Sequence, residues 1–284
     1  MKNIWKPLAT GIGITVVLTL FMLFLTMNFQ YVLWVGACLF YIGGRAHAEN
    51  KNKLLFLLLG ITWSFTVLFT VLVLSEIPKL YYITLIFIIA CLLGLYFKKN
   101  RKMSLIGSIA LIMVVAALNW KVIPADLTSS LTQQINKPLP SFVIKDMNGG
   151  HVSENSIEGN VVVFDFFGTW CKPCKQELKE LDKVQHVFKN EPDVVFYVVN
   201  ADLGGDTPEK FENFIAKTSY NFKYAYDDTT QFLKSLQLGS TGLPCLVIVD
   251  KKGYIRMVHI GFNTAETNFV DHLVSTIKAL QAEK

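Results

Sequence analysis

Apolar and polar positions divide the chain near Trp120. Before it, apolar runs at about 8–27, 29–44, 54–75, 80–97 and 104–120 are separated by short polar breaks. Most approach the roughly 20 residues an α-helix needs to cross a bilayer, so the pattern predicts five transmembrane helices over residues 1–120. The clearly apolar part of the second run, Tyr31 to Gly44, is short, with Asn28, Phe29 and Gln30 able to complete it at the interface. The first run, Leu8 to Met27, is longer than a signal-peptide core, and no A-x-A-like site follows it. It therefore reads as a retained span.

Beyond Trp120 the pattern changes period. Residues 121–136, within a proline-punctuated polar stretch reaching Pro140, read as a linker. From 137 to 284 short apolar runs alternate with charged periodic segments. A strand at Phe142 leads through the Asn148-Gly149-Gly150 turn signal to a second strand near His151. Val161 to Phe167 reads as a buried strand, followed by a helical segment from Cys174 to about Phe188. Strands at 193–199, 222–226, 245–249 and 254–261 and helices near 208–217, 229–238 and from about 266 complete the pattern. Alternation of this kind predicts an α/β domain with a largely parallel sheet covered by helices on both faces.

Charge sharpens the membrane reading. The net charge of +5 is carried by the first half, where residues 1–120 hold ten Lys or Arg against two acids, Glu49 and Glu76. With the N-terminus in the cytoplasm, nine of those ten cations fall in cytoplasmic segments: Lys2, Lys6, Arg45, Lys51, Lys53, Lys98, Lys99, Arg101 and Lys102. Only Lys79 lies in an outer loop. The positive-inside rule and an odd number of spans thus agree in placing the C-terminal domain outside the cytoplasm. The basic excess is topological and does not indicate a nucleic-acid surface.

Five cysteines, at 38, 91, 171, 174 and 245, are too unevenly placed for a disulfide framework. Cys38 and Cys91 fall in spans two and four, which run in the same direction, each about 15–17 Å below the outer surface at 1.5 Å per residue. They read either as a membrane dithiol passing electrons outward or as small residues that ease helix packing. The remaining pair lies in Phe167-Gly168-Thr169-Trp170-Cys171-Lys172-Pro173-Cys174, between a strand and a helix. At a helix start, unpaired N–H groups and the positive end of the dipole stabilise the thiolate of Cys171, the nucleophile. Lys172 adds a cation, Pro173 suits the first turn, and Cys174 can resolve a mixed disulfide. A zinc site would need two more ligands at matching spacing, and the five histidines show none, so no metal is expected. A peroxidase reading fails on the missing P-x-x-x-T-x-x-C spacing. A binding or chaperone module with an idle dithiol is the remaining contrast.

Asp165 through Cys174, with Leu243-Pro244 downstream, resembles the thioredoxin superfamily. Within it, the W-C-x-P-C-x-x-E pattern and the segment inserted before Pro244 resemble the membrane-anchored TlpA/ResA-type reductases, over about residues 137–284. The resemblance implies an all-α five-helix transmembrane bundle followed by an α/β thioredoxin-like domain acting as an extracytoplasmic thiol:disulfide oxidoreductase of a bacterial cytoplasmic membrane. It implies that Pro244 is a cis-proline and that Leu243 and Trp170 border a substrate groove. Asp165 would be a buried acid handling the Cys174 proton, and Glu177 the acid of reductases acting on apocytochrome c thiols. The expected partners are disulfide-containing exported proteins, the lipid bilayer and a membrane electron donor or acceptor, and the Cys171–Cys174 pair is the redox group, with no other cofactor. Direction of electron flow stays open between reduction or isomerisation and disulfide formation. Cys245 departs from the pattern, either as a third thiol near the pair or as a small buried strand residue. The five spans also resemble vitamin K epoxide reductase-like bundles fused to thioredoxin domains, but the C-x-x-C and loop pair of those bundles are missing.

Overall fold

The computed structural model describes residues 5–25, 28–49, 54–96, 100–147, 149–201, 204–238 and 242–283. The cations Lys2, Lys51, Lys53, Lys98 and Lys99 and the turn residue Asn148 lie outside them. The chain divides into two compact units, Met1–Ser130 and Leu131–Lys284.

The first unit is helical: α1 Trp5–Leu20, α2 Phe29–His47, α3 Leu54–Phe69, α4 Tyr82–Tyr96, α5 Arg101–Ala117 and α6 Ile123–Leu131. Asn28 and Asn100 cap α2 and α5, their side chains accepting backbone N–H groups of the first turn. Against the expectation of five spans, the described residues contain three helical stretches long and apolar enough to cross a membrane, Trp5–Leu25, Pro78–Tyr96 and Arg101–Leu131. Leu58–Leu74 is a shorter apolar helix. In α2, Gln30, Arg45, His47 and a set of glycines dilute the apolar surface.

Those glycines explain how the helices pack. A methyl group on Gly44 would lie 2.2 Å from the Cys91 carbonyl oxygen, and one on Gly94 2.2 Å from that of Tyr41. Gly36 receives the Phe87 ring, which stacks on Phe40 at 5.0 Å and meets Phe65 edge-on at 4.9 Å. Between helices in lipid, such close backbone approach replaces the hydrophobic drive available in water.

The expected linker is absent as a tether. Residues 121–131 extend the fifth helix through a π-helical turn, Leu118–Val122, into α6. That turn sits just before Pro124, whose ring is incompatible with unbroken α-helical bonding. Ile123 and Leu127, four apart, bury one face. Residues Thr132–Pro138 then form β1, paired antiparallel with β8.

The second unit contains β1 and seven more strands: β2 Val143–Asp146, β3 His151–Ser153, β4 Val161–Phe167, β5 Val194–Ala201, β6 Lys223–Asp227, β7 Cys245–Val249 and β8 Tyr254–Ile260. They form one sheet in the order β1-β8-β7-β4-β5-β6-β2-β3. Its helices are α7 Glu154–Ile157, α8 Lys172–Val187, α9 Pro208–Ile215, α10 Gln231–Ser235 and α11 Phe269–Ala282. The expectation of a largely parallel sheet is corrected. Only β4–β5 and β5–β6 are parallel, while β1–β8, β7–β8, β4–β7, β2–β6 and β2–β3 are antiparallel. Hairpins join β2 to β3 and, through Asp250–Gly253, β7 to β8, and a hairpin can only be antiparallel. Central β4 is buried along its whole length, with β5 and β7 on its two sides and an apolar core on each face.

The glycine seams carry the first unit's stability. Gly44→Leu and Gly94→Leu each force backbone apart and are expected to cost more than the roughly 1–3 kcal/mol of ordinary overpacking, leaving little protease-resistant protein in detergent. Gly13→Leu, where nothing lies within 4 Å, is expected to match wild type in the same limited-proteolysis assay.

Candidate active site

β4 ends at Phe167, and Gly168-Thr169-Trp170 carries the chain over the edge of the sheet to α8. Cys171 is the N-cap of α8: its backbone is extended, at φ −76° and ψ 107°, and its sulfur accepts the Cys174 N–H at 3.2 Å. Pro173 occupies the first turn. The two sulfurs are joined in a disulfide with Cα atoms 5.3 Å apart, Cys171 3% exposed and Cys174 fully buried. Of the two sulfurs, that of Cys171 is the nearer to solvent, seated where the helix dipole favours a thiolate.

The turn before Cys171 is pinned from beneath. Asp206 accepts the Thr169 N–H at 2.6 Å, the Thr169 hydroxyl, and the Asn200 side-chain amide at 2.9 Å. Its own carbonyl accepts the Tyr226 hydroxyl at 3.0 Å. Burial alone would push the Asp206 carboxyl up, but these donors, helped by the Lys210 charge, outweigh it and hold it below the usual range.

Trp170, 54% exposed, stands beside the dithiol. A methyl group on Gly204 would lie 2.1 Å from the indole nitrogen, and one on Gly168 3.0 Å from the same ring and 3.4 Å from Leu243 Cδ1. Two glycines therefore let the indole and Leu243 approach the strand end closely. The Leu243–Pro244 peptide is cis, and the Pro244 carbonyl accepts the Gly261 N–H at 2.8 Å.

Behind the cysteines the site is acidic. Asp165 on β4 and Glu177 on α8 are both fully buried, and no oxygen of either carboxylate has a hydrogen-bond partner within the protein. Burial pushes Asp165 up to about 7. It raises Glu177 well above the carboxylate range, with the charges of Asp165 and Glu266 adding to the effect. Two carboxyls so placed hold at least one proton between them near neutral pH, and one can accept a proton when the other already carries one. Glu177, an ordinary helix residue by its sequence context, is interior because it shares the inward face of α8 with Cys174, Leu178 and Leu181.

Cys245 faces the other way. Strand alternation sends Leu246 and Ile248 to the α8 side with the dithiol, and Cys245, Val247 and Val249 to the opposite core with Phe164, Phe166 and Phe232. It is a buried free thiol, raised by burial first and by the Glu177 and Asp165 charges second. In the first unit, Cys38 and Cys91 are free. Cys91 is buried where α4 meets Gly44, six residues along α2 from Cys38, or about 9 Å of helix rise. Cys38 instead opens into an apolar groove of about 210 Å³ with Ser108, Leu111 and Val115 of α5. The structure does not bring these two thiols together.

Residues 135–258 match the AhpC/TSA family model. The match falls within the C-terminal unit, which resembles the thioredoxin-like domain of that family. The thiol-disulfide oxidoreductase ResA of Bacillus cereus (strain ZK / E33L) is 29% identical over 169 residues, covering 60% of this chain and 93% of that protein. ResA of Bacillus subtilis (strain 168) is 26% identical, covering 59% and 89%. A solved thiol:disulfide interchange protein of the thioredoxin family from Chlorobium tepidum is 19% identical, covering 53% of this chain and 99% of that one, at a TM-score of 0.43. The dithiol and the ResA relatives together make the chain a thiol-disulfide oxidoreductase of this type.

Thr169, Asn200, Asp206 and Glu266 were not legible as site residues. Asp206 follows a Gly204-Gly205 turn after β5, a weak signal for a strand-end residue. Glu266 stands at the start of the last predicted helix, and nothing in the sequence marks it as buried.

Burial of Asp165 has a definite pH signature. Below about pH 4 the group is protonated folded or unfolded and costs nothing. Between about pH 4 and 7 the unfolded chain gives up the proton while the folded one keeps it, so stability falls as pH rises and levels off above about 7. The fall is on the order of 4 kcal/mol, and Glu177 acts in the same direction. Asp165→Asn is expected to remove most of the Asp165 share, so urea midpoints from pulse proteolysis of the second unit rise more at pH 8 than at pH 4.

Proposed function

We propose that this chain is an extracytoplasmic thiol:disulfide oxidoreductase anchored in a bacterial cytoplasmic membrane, reducing or isomerising disulfides of exported proteins, the thiol pair of apocytochrome c among them. The observation that carries the reading is the dithiol at the start of α8 backed by two buried, unpartnered carboxyls. The topology is five spans, N-terminus in the cytoplasm; the distribution of cations supports it, and the three long apolar helices support a membrane anchor.

The chemistry follows from the geometry. The Cys171 thiolate attacks one sulfur of a substrate disulfide, the substrate S–S bond breaks, and a mixed disulfide forms. The Cys174 thiol gives its proton to the Glu177 or Asp165 carboxylate and attacks the Cys171 sulfur. The Cys171–Cys174 bond forms and the second substrate thiolate leaves. Two electrons from a membrane donor then restore the dithiol. Trp170, Leu243 and the cis-Pro244 segment border the place where the substrate chain lies, and the glycine-backed approach of Trp170 and Leu243 supports that role. Cys91 on α4 meets α2 at Gly44, six residues along α2 from Cys38, so the two are better read as packing residues than as a relay.

Cys174→Ser is expected to accumulate mixed disulfides between Cys171 and exported proteins, and Cys171→Ser to form none, read on non-reducing gels after acid trapping. A binding module would keep its function with Cys171→Ser. In intact cells, a membrane-impermeant maleimide should label the reduced Cys171 of the Cys174→Ser chain; protection until lysis would reverse the topology.

A further inference from the structure

The dithiol chemistry accounts for Cys171, Cys174, Asp165 and Glu177, but not for two glycines and a buried charge that crowd the connection after β5. Gly204, Gly205 and Asp206 lie between β5 and α9, against the turn that leads into α8. Gly205 stands at φ 71°, in the left-handed region that favours glycine. Gly204 lies outside that region, so its own backbone does not require a glycine. What excludes a side chain there is Trp170. The three atoms nearest an added Cβ all belong to that indole, closer than a Cβ tolerates.

Asp206, 4% exposed, is a second hold on the same turn. Gly168 to Cys171 close a tight turn through the Cys171 N–H, which donates to the Gly168 carbonyl at 3.0 Å, with Thr169 and Trp170 at its corners. The Asp206 carboxylate accepts both donors of Thr169, the N–H and the hydroxyl. The acid is fixed in turn from its neighbours. Asn200 at the end of β5 donates to its carboxylate, Tyr226 on β6 donates to its carbonyl, and Lys210 on α9 donates to the adjoining Gly205 carbonyl at 2.9 Å. Asn200 is also the cross-strand partner of Phe167, the last residue of β4. A buried carboxylate met by charge-assisted donors in this way offsets the cost of its desolvation and makes a stiff tie.

Trp170 stands between the two holds. One edge of its indole lies against the backbones of Gly204 and Gly168, while more than half of its surface stays open to solvent. Leu243, which precedes cis-Pro244, comes to the same Gly168. An exposed tryptophan free to change rotamer loses that freedom when a partner covers it, and binding is weakened accordingly. One that is already held loses little. A held indole therefore favours a partner with a chain to lay along it, and does nothing for a small disulfide that meets only the Cys171 sulfur.

We propose that the Gly204-Gly205-Asp206 segment is a positioning element for polypeptide substrates: it holds Trp170 as a preformed wall of the groove and so sets how tightly a peptide disulfide binds. Gly204 acts by leaving room for the indole, and Asp206 by fixing Thr169 and with it the turn that carries the ring. This inference rests on the groove reading given under the proposed function. It is separate from the part played by Asp165 and Glu177, which concerns the Cys174 proton. Displacing or loosening the ring is expected to raise the half-saturating concentration of a peptide disulfide about two- to tenfold, the effect of having to order one such side chain on binding.

The test uses the full chain in detergent, reduced and then mixed with an excess of either a short oxidised Cys-x-x-Cys peptide or hydroxyethyl disulfide. In both reactions the Cys171 and Cys174 thiols are oxidised to their disulfide and the added disulfide is reduced to two thiols. Acid quench and thiol alkylation give the limiting rate and the half-saturating concentration. Gly204→Ala is expected to raise half-saturation by the peptide about two- to tenfold at an unaltered limiting rate, so that the preference for peptide over hydroxyethyl disulfide falls by the same factor. In a Trp170→Ala background, Gly204→Ala should change nothing further, because the ring it meets is gone. Thr169→Val, which lacks the hydroxyl held by Asp206, should also raise half-saturation by the peptide, and Thr169→Ser should restore it. An unmoved half-saturation in Gly204→Ala chain that retains wild-type protease resistance overturns the inference. So does an equal rise in the Trp170→Ala background, or an equal loss with hydroxyethyl disulfide. Should Gly204→Ala not fold, Thr169→Val decides, and a value matching Thr169→Ser overturns the inference. A wild-type chain that reacts with hydroxyethyl disulfide but never saturates with the peptide overturns the groove reading, and this inference with it.

Discussion

A carboxyl group removed from water must be paired, hydrogen-bonded or left protonated, and in this protein the core beneath the dithiol offers neither pairing nor hydrogen bonds to Asp165 and Glu177. Both consequently keep their protons far above the pH at which an exposed acid loses them. That costs stability in the range where the protein must work. It also places behind the dithiol two groups able to exchange a proton, Glu177 one turn along α8 from Cys174 and Asp165 on β4.

The sheet makes this placement. β4 is buried on both faces, so a polar residue in its interior has no route to solvent, and Asp165 points to the face that α8 covers. α8 starts just after the end of that strand, which puts the Cys171 sulfur at the helix N-terminus. The same face carries Glu177 over Asp165. The antiparallel β7–β8 pair brings to the site the cis-Pro244 segment at the start of β7. Asp206 closes the arrangement from the β5 side by tying down Thr169, so the turn bearing Trp170 is held by hydrogen bonds rather than by packing alone.

The helical unit follows a different rule. Its seams are glycines where one helix's backbone meets another's, and its aromatic cluster of Phe40, Phe65 and Phe87 fills the space beside them. Cys91 belongs to such a seam, and its sequence position alone could not separate that role from a redox one.

Much was legible because it is local. The period of the apolar pattern marked the helical half, β4, β7 and the turn at Asp250–Gly253, and the C-x-x-C pair between strand and helix marked the dithiol. What the sequence could not decide depends on long-range pairing. The strand at Thr132–Pro138 is polar and read as a tether, because an edge strand gains its order from β8, more than a hundred residues away. The sheet is mostly antiparallel although its elements alternate, because strand direction is set by which neighbours meet in space. The burial of Glu177 and Glu266 could not be read from the chain, since it depends on where α8, α11 and β8 pack. Chemistry borne by neighbours along the chain was written in the sequence by itself. Chemistry borne by charges that approach one another only through the fold was decided by the tertiary structure, because an electrostatic interaction depends on distance in space and on exclusion of water.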